Sequence, residues 1–503
     1  MSSWTQLQEK LVQDYEFIAE IEVETITYMR LGNYKAVPHY LDEKLLNEPI
    51  AKSLKGVWRW WARAAIIGAY EGGANYKEAN KCLNKLLGGT GKGEGISLFR
   101  LEVSNIEFHE NYKDKLKEIN NEIDNFYNNA KNFLSNKVQK LKLPQNIKVS
   151  VKLNPSDANL TIEGKMELER WYKNTEKLVK ESLREYFLDV KKKDKKIIFI
   201  LKIPKLDSYI EIPRIKLLLM RRRDKGEEDT LEKDNIDSEG IRKYLERIKE
   251  EMRVLITKGV KFKISLYGSK DPEKVNFAVS SLLLALIFGG LGSITKRAFG
   301  SLKLLSYKFR DNLVDKKIQD IYQKLQNGNF TEEELRNMLN ELCKITIMYA
   351  KKLFNISETQ SCEIPIVPSL SNIRIEVIKK SQPVNLAKIG CCFLKQSWKK
   401  YPKESGRNLH TWILGLPRYR EKTGYKCDGK FDIRRISSIG VRCFEINDNY
   451  FIILFGLMSK DWCEKLYHVS WKGITTSFPF NEEFLKSVFE FAFKKISECL
   501  KRC

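Results

Sequence analysis

Apolar and polar positions along the chain alternate in short runs, and between these runs apolar residues recur every three or four positions, so strands and helices interchange. The first run places Phe17, Ala19, Ile21 and Val23 on one face, with Glu20 and Glu22 opposite, and predicts a half-buried strand. A loop with Gly32, Asn33, Pro38 and Pro49 follows. A helical period then covers Ile50 to Tyr70, a second helix Tyr76 to Leu87, and a strand-like run Ile96 to Phe108. Much later, Val260, Phe262, Ile264 and Leu266 alternate with Lys261, Lys263 and Ser265 to give a strand with one polar face. Asp271 stands as an N-cap before Pro272 and opens an apolar helix to Phe288 that Gly289 and Gly290 terminate; Ser301 to Phe309 is the next strand. Strand-helix-strand, insertion, strand-helix-strand is the order of a ferredoxin-like fold.

The insertion, about 110–258, reads as mainly helical, with Lys- and Asn-rich stretches at Lys113 to Leu141 and Met166 to Phe187 and two short β-rich runs, Ile197 to Ile203 and Tyr209 to Met220. Beyond Asp311 come helical patterns to Phe354, a connection at Pro365 to Ser369, and strands at Ile373 to Val377, Thr411 to Leu416 and Tyr450 to Met458. A closing amphipathic helix capped by Asn481 shares one face among Leu485, Val488, Ala492, Ile496 and Cys499. The expected fold class is α+β: a domain over 1–310 carrying the insertion, and a second over 311–503, a division that 503 residues allow at roughly 150 per domain. The longest nearly apolar stretch, Val279 to Gly292, is shorter than the roughly 20 residues that cross a bilayer, and no secretory leader is apparent. The chain is expected in the cytoplasm, without a membrane partner.

Charge narrows the partner. Lys and Arg number 89 against 65 Asp and Glu, a net +24 that points to a polyanion. The excess is concentrated in 191–225, with 13 basic and four acidic residues, and in 388–442, with 14 and four. Ten cysteines include no C-x-x-C pair, only the adjacent Cys391 and Cys392, so reduced, buried thiols are expected. Grouping His410, Cys427 and Cys443 as metal ligands would rest on sequence proximity alone. No metal or cofactor is expected.

Three segments carry candidate chemistry. In the first helix Lys52, Lys55, Arg59 and Arg63 form a basic stripe aimed at phosphates, opposite an apolar stripe of Leu54, Val57, Trp61 and Ala64; Trp58 and Trp60 could stack on bases, and Trp61 reads as core. Gly88 to Gly95 is glycine-rich, but Lys92 is followed by Gly93, so it fails the Walker pattern and reads as a turn or a close-approach loop. The segment Gly289-Gly290-Leu291-Gly292-Ser293-Ile294-Thr295-Lys296-Arg297-Ala298-Phe299-Gly300 follows a helix and precedes a strand, the reverse of a dinucleotide fold. Its glycines, hydroxyls and paired cations suit an extended anion, with backbone amides at Gly290 and Gly292 expected to matter more than Lys296 and Arg297.

This loop resembles the glycine-rich loop of the RAMP superfamily of CRISPR proteins. Its form, and the signature-like helix Pro49 to Arg63, are similar to the family of first Cmr subunits of the type III-B effector complex; Leu414 to Arg418 and Arg434 to Ser438 resemble that family's C-terminal motifs. The resemblance departs from the family at Met29 to Tyr34, which has only Gly32, and at Thr295 to Ala298, where Arg-Arg-Gly is usual. It implies two ferredoxin-like, RRM-like domains and a non-catalytic subunit. Such a subunit would bind guide RNA (crRNA) near its 3′ region and the 5′ side of a complementary single-stranded target RNA, beside other RAMP subunits, in antiviral defence. The implied RNA-binding set is Lys52, Lys55, Arg59, Arg63, Gly289, Gly290, Gly292, Ser293, Lys296, Arg297, Gly300, Arg418, Arg434 and Arg435. Two competing readings are a metal-independent endoribonuclease of the same superfamily using His39, with Tyr40 or Lys35 assisting, and a single-stranded RNA-binding protein independent of CRISPR.

Overall fold

In a computed structural model, the described residues are 15–29, 31, 47–89, 96–107, 148–154, 157–163, 173, 187–193, 196–202, 258–292, 295–357, 361–384, 386–393, 411–416, 419–420, 423–430, 436–470, 473–478 and 481–502. In chain order they form strand β1 (Glu16–Thr25), helices α1 (Asn47–Ala69) and α2 (Tyr76–Leu87), and strands β2 (Phe99–Glu107), β3 (Lys148–Asn154), β4 (Asp157–Glu163), β5 (Phe187–Lys193), β6 (Lys196–Lys202) and β7 (Lys261–Gly268). Then follow α3 (Pro272–Leu284), β8 (Leu302–Phe309), α4 (Lys316–Asn327), α5 (Glu332–Leu353), β9 (Arg374–Lys380) and α6 (Leu386–Cys392). The rest comprises β10 (Tyr419–Arg420), β11 (Thr423–Cys427), β12 (Ile439–Ile446), β13 (Asn449–Gly456), β14 (Leu466–Ser470), β15 (Gly473–Phe478) and α7 (Glu482–Lys501). Two compact units result: residues 110–254, and the remainder of the chain on both sides of that segment. Residues before and after 310 belong to the same unit.

In the larger unit β1, β2, β7 and β8 make one antiparallel sheet in the order β2-β7-β1-β8. The two strand-helix-strand halves are thereby interleaved, each central strand coming from a different half. Alternation explains the register: Ile21 faces Ile264 and Val23 faces Phe262, all buried, while Glu22 faces Lys263. Helices α1, α3 and α5 pack together over this core, which is filled by Trp58, Trp61, Phe262, Phe277 and Phe288. The other sheet face is laced with pairs, Lys263 to Glu20 at 3.2 Å and Ser306 to Glu22 at 2.9 Å, so its charges are matched there. Asp271 caps α3 by accepting from the amides of Glu273 and Lys274, with Pro272 at the first position. The helix then widens into a π turn over Ala285–Gly289, and Gly290 ends it at φ +69°. By length and composition Pro272–Gly289 would suit a membrane span, but 78% of it is buried inside the protein.

A three-stranded sheet, β12-β13-β9, and a four-stranded one, β10-β11-β14-β15, follow in the same unit. Thr411–Leu414 is a 3-10 turn, where sequence alternation predicted a strand; Trp412, Ile413 and Leu414 are all buried, and consecutive burial does not fit a two-sided strand pattern. The reduced-thiol expectation is also corrected: Cys392 pairs with Cys499, and Cys427 with Cys463, each at a Cα separation of 5.7 Å. The His410, Cys427, Cys443 grouping dissolves as well. Cys427 is committed to Cys463, and Cys443 is a buried thiol that burial pushes up to about 12; His410 lies outside the described residues.

In the smaller unit the described strands add a sheet that the helical-insertion reading did not foresee. It is four-stranded and antiparallel, in the order β3-β4-β6-β5. The run Ile197 to Ile203 coincides with β6, whereas β5 begins at Phe187, the end of a predicted helix. The helical stretches at Lys113 to Leu141 and Met166 to 186, and the run Tyr209 to Met220, fall outside the described residues except Lys173.

Candidate nucleic-acid interface

The basic stripe of α1 does not present a uniform row of cations. Lys52, in the first turns, is exposed. Lys55 is half-buried, and burial together with the neighbouring Arg59 lowers its ammonium below the usual lysine range. Arg59 turns toward α2: its Nη1 donates to the carbonyls of Leu87 (2.8 Å) and Gly88 (2.5 Å), and Nη2 to Asn84 Oδ1 (2.6 Å). Arg63 donates from Nε to Asn80 Oδ1 at 2.7 Å and lies over the Tyr76 ring. Burial holds its guanidinium below the usual arginine range. Two of the four stripe cations therefore tie α2 to α1, and Arg59 caps the last carbonyls of α2 where the Gly88 turn begins. Trp58 is core, with Nε1 donating to Ser281 Oγ at 2.9 Å, and so is Trp61, as its stripe predicted.

Trp60 faces another element. The Lys296 ammonium lies 4.8 Å from the Trp60 ring centroid and 4.6 Å from that of Phe455, and the Arg297 guanidinium 4.1 Å from Phe393. Around Trp60 and Lys296 opens a cavity of roughly 330 Å³ lined also by Tyr76, Ile436, Ser437, Ser438 and Asp461. Tyr76 donates to Asp461 Oδ2 at 2.9 Å, and the Ser438 hydroxyl, 3% exposed, has no hydrogen-bond partner. Helix α1, the glycine-rich loop and the Ser437-Ser438 motif thus meet at one cleft. Ser293, Arg418, Arg434 and Arg435 lie outside the described residues, as do His39, Lys35, Tyr40 and residues 90–95.

The glycines of the loop serve packing, which corrects the expectation that they expose amides to RNA. A Cβ on Gly289 would collide with Val57 and Trp61, one on Gly290 with the Arg442 guanidinium, and one on Gly300 with the Leu291 backbone. The Gly292 amide donates to Ser53 Oγ at 2.9 Å, and the amides of Gly290, Leu291 and Gly300 donate to Ala285, Gly300 and Tyr28 carbonyls. Residues 296–298 instead dock on β12: Arg297 bridges Val441 in parallel, the Ala298 amide donates to the Val441 carbonyl at 2.9 Å, and the Val441 amide to that of Lys296. Ala298 takes a left-handed φ of +65°, and its carbonyl accepts from Thr27 Oγ1 (2.6 Å) and Ser301 Oγ (2.9 Å), which hold the strained residue in place. The missed members of the site are Gly440, across which the Lys296 stem lies, and Arg442 beneath the loop. Both sit in a strand hydrophobic on both faces, which alternation does not reveal.

The sequence profile of the RAMP superfamily matches residues 22–303, and the chain belongs to that superfamily. It is 24% identical over 326 residues to the CRISPR system CMR subunit Cmr1 of Saccharolobus solfataricus, a match over 63% of this chain and 60% of that protein. A chain in the cryo-EM structure of the type III-B Cmr-beta bound to cognate target RNA aligns over 96% of this chain and all of that one, at 16% identity and a TM-score of 0.44. Apo Cmr1 from Pyrococcus furiosus aligns over 94% and 97% at 15% identity and a TM-score of 0.40.

Proposed function

We propose that this chain is a non-catalytic, single-stranded RNA-binding subunit of a type III-B CRISPR effector complex, and that the Trp60–Lys296 cleft is where it grips RNA. The observation that carries the reading is the convergence of α1, the glycine-rich loop and the Ser437-Ser438 segment on one aromatic-floored cavity, where Lys296 stands over the Trp60 ring and Asp461 is held by Tyr76. An aromatic face takes any base by stacking, and an ammonium poised over it can turn outward to a phosphate when a base takes its place. Guide RNA near its 3′ region, the 5′ side of the target, and neighbouring RAMP subunits are the partners this reading assigns. The interleaved sheet β2-β7-β1-β8 supports a ferredoxin-like first domain, with β9, β12, β13 and α7 as the second.

Fluorescence anisotropy with a labelled, unstructured guide-length RNA tests the grip. Trp60→Ala should weaken binding about tenfold at constant salt slope, since base stacking contributes roughly 1–3 kcal/mol. Lys296→Ala should also reduce the slope of log K against log salt by about 0.7, one phosphate contact. Wild-type affinity in both folded variants would remove the cleft from RNA binding. On the same RNA, wild type and His39→Ala should be equally inert with and without divalent metal; cleavage that disappears in the variant would make the chain a nuclease.

A further inference from the structure

We propose that Arg442 is a positioning residue for RNA binding, a buried cation that clamps the segment Thr295 to Phe299 so that Lys296 is presented to the cleft. The inference rests on the RNA-binding reading of the cleft and deepens it. Arg442 lies within β12 and is 1% exposed. Its Nη1 donates to the carbonyls of Thr295 at 2.9 Å and Phe299 at 2.7 Å, the two ends of a five-residue span. That span carries Lys296 and Arg297 at its centre. The same strand docks the span's backbone through Val441 and makes room for the Lys296 stem at Gly440.

The remainder of the guanidinium is unmatched: Nε and Nη2 are buried without a hydrogen-bond partner, and among the described residues no carboxylate pairs with it. A buried cation in that state is costly, and an apolar side chain of similar length would pack there at lower cost. Burial pushes its pKa down to about 9, so at neutral pH the charge is retained. A polyanion over the loop offsets part of this cost, which ties the charge to ligand binding. Gly290 belongs to the same device, because any side chain there would displace the guanidinium.

Four full-length variants test the proposal: Arg442→Met, Arg442→Lys, Gly290→Ala and Arg442→Met combined with Lys296→Ala. Arg442→Met should bind the guide-length RNA at least tenfold more weakly while melting no lower than wild type. Arg442→Lys, which keeps the charge but is one atom too short to set its nitrogen where Nη1 sits between the two carbonyls, should restore only part of the affinity. Adding Lys296→Ala to Arg442→Met should cost little more, because both changes remove the same contact. Should Arg442→Met fail to fold, Gly290→Ala carries the test and should show the same loss. Limited trypsinolysis reads the loop without RNA: cleavage after Lys296 or Arg297 should be slow in wild type and fast in Arg442→Met. Wild-type affinity in Arg442→Met or Gly290→Ala, full additivity with Lys296→Ala, or unchanged cleavage would each overturn the clamp. Failure of wild type itself to bind RNA, with faster cleavage in Arg442→Met, would instead overturn the RNA reading and leave the clamp standing.

Discussion

Arg59 shows how a residue's chemistry can be read correctly and its partner missed. A cation at helical spacing from Lys55 and Arg63 suggests a row of phosphate ligands, yet its guanidinium is spent on the Leu87 and Gly88 carbonyls and on Asn84. Those carbonyls end a helix and would otherwise lack donors, so a forked donor satisfies them better than it would a mobile backbone. Arg59→Ala should therefore destabilise the protein by about 2 kcal/mol, the scale of hydrogen bonds from a charged group. Urea unfolding measures this; unchanged stability would return Arg59 to the solvent-facing stripe. At the same scale, Lys296 is placed by contacts with three aromatic rings, Trp60, Trp61 and Phe455, none of them near it in sequence.

At the scale of elements, β7, α3 and β8 were legible because local rules agree along them. Val260 to Leu266 alternates cleanly, and Asp271 and Pro272 are the start signals of a helix. Asp271→Ala should cost about 1 kcal/mol at neutral pH. The hydrogen bond from Lys274 holds the Asp271 carboxyl below its ordinary range, so the cap's contribution is complete above the unfolded carboxylate value. It is lost as pH falls through the lower folded value, and the stability gap between wild type and variant should close in acid, as thermal melts across pH will show. Strand β12 was not legible: Ile439 to Phe444 is buried on both faces, so no alternation marks it, and Arg442 within it reads as surface charge. The hairpin β3–β4 did carry a signal. Val149, Val151 and Leu153 alternate with Ser150 and Lys152, and Asn154 to Asp157 is turn-forming, but the surrounding Lys- and Asn-rich composition reads as helix. The cleft itself depends on pairings across more than 140 residues, such as Arg442 with Thr295, which no local pattern encodes.

For the whole molecule, long-range ties outside the sheets matter. The Cys392–Cys499 bond closes 107 residues and joins α6 to the terminal helix, while Cys427–Cys463 closes 36. Reduction should lower unfolding free energy by about 2–5 kcal/mol for each bond, the longer closure contributing only about 1 kcal/mol more than the shorter. Urea unfolding with and without reductant checks this, with alkylation and mass mapping of the four cysteines; full alkylation before reduction would show free thiols. The β2–β7 ladder has another implication. It ends where Glu107 faces Lys261, and the whole smaller unit, 110–254, hangs between those two partners. The unit is therefore a graft on a hairpin: the parent sheet needs only a tight turn there, and lengthening such a connection costs only about 0.6 kcal/mol per doubling. A shortened gene product joining Glu107 to Gly259 through a short linker, so that buried Val260 keeps its hydrogen bonds to Thr25, should melt within a few degrees of the full chain and keep its RNA affinity, as circular dichroism and anisotropy will report. The lineage could then gain, lose or exchange this unit without resetting the register of the sheet beneath the cleft.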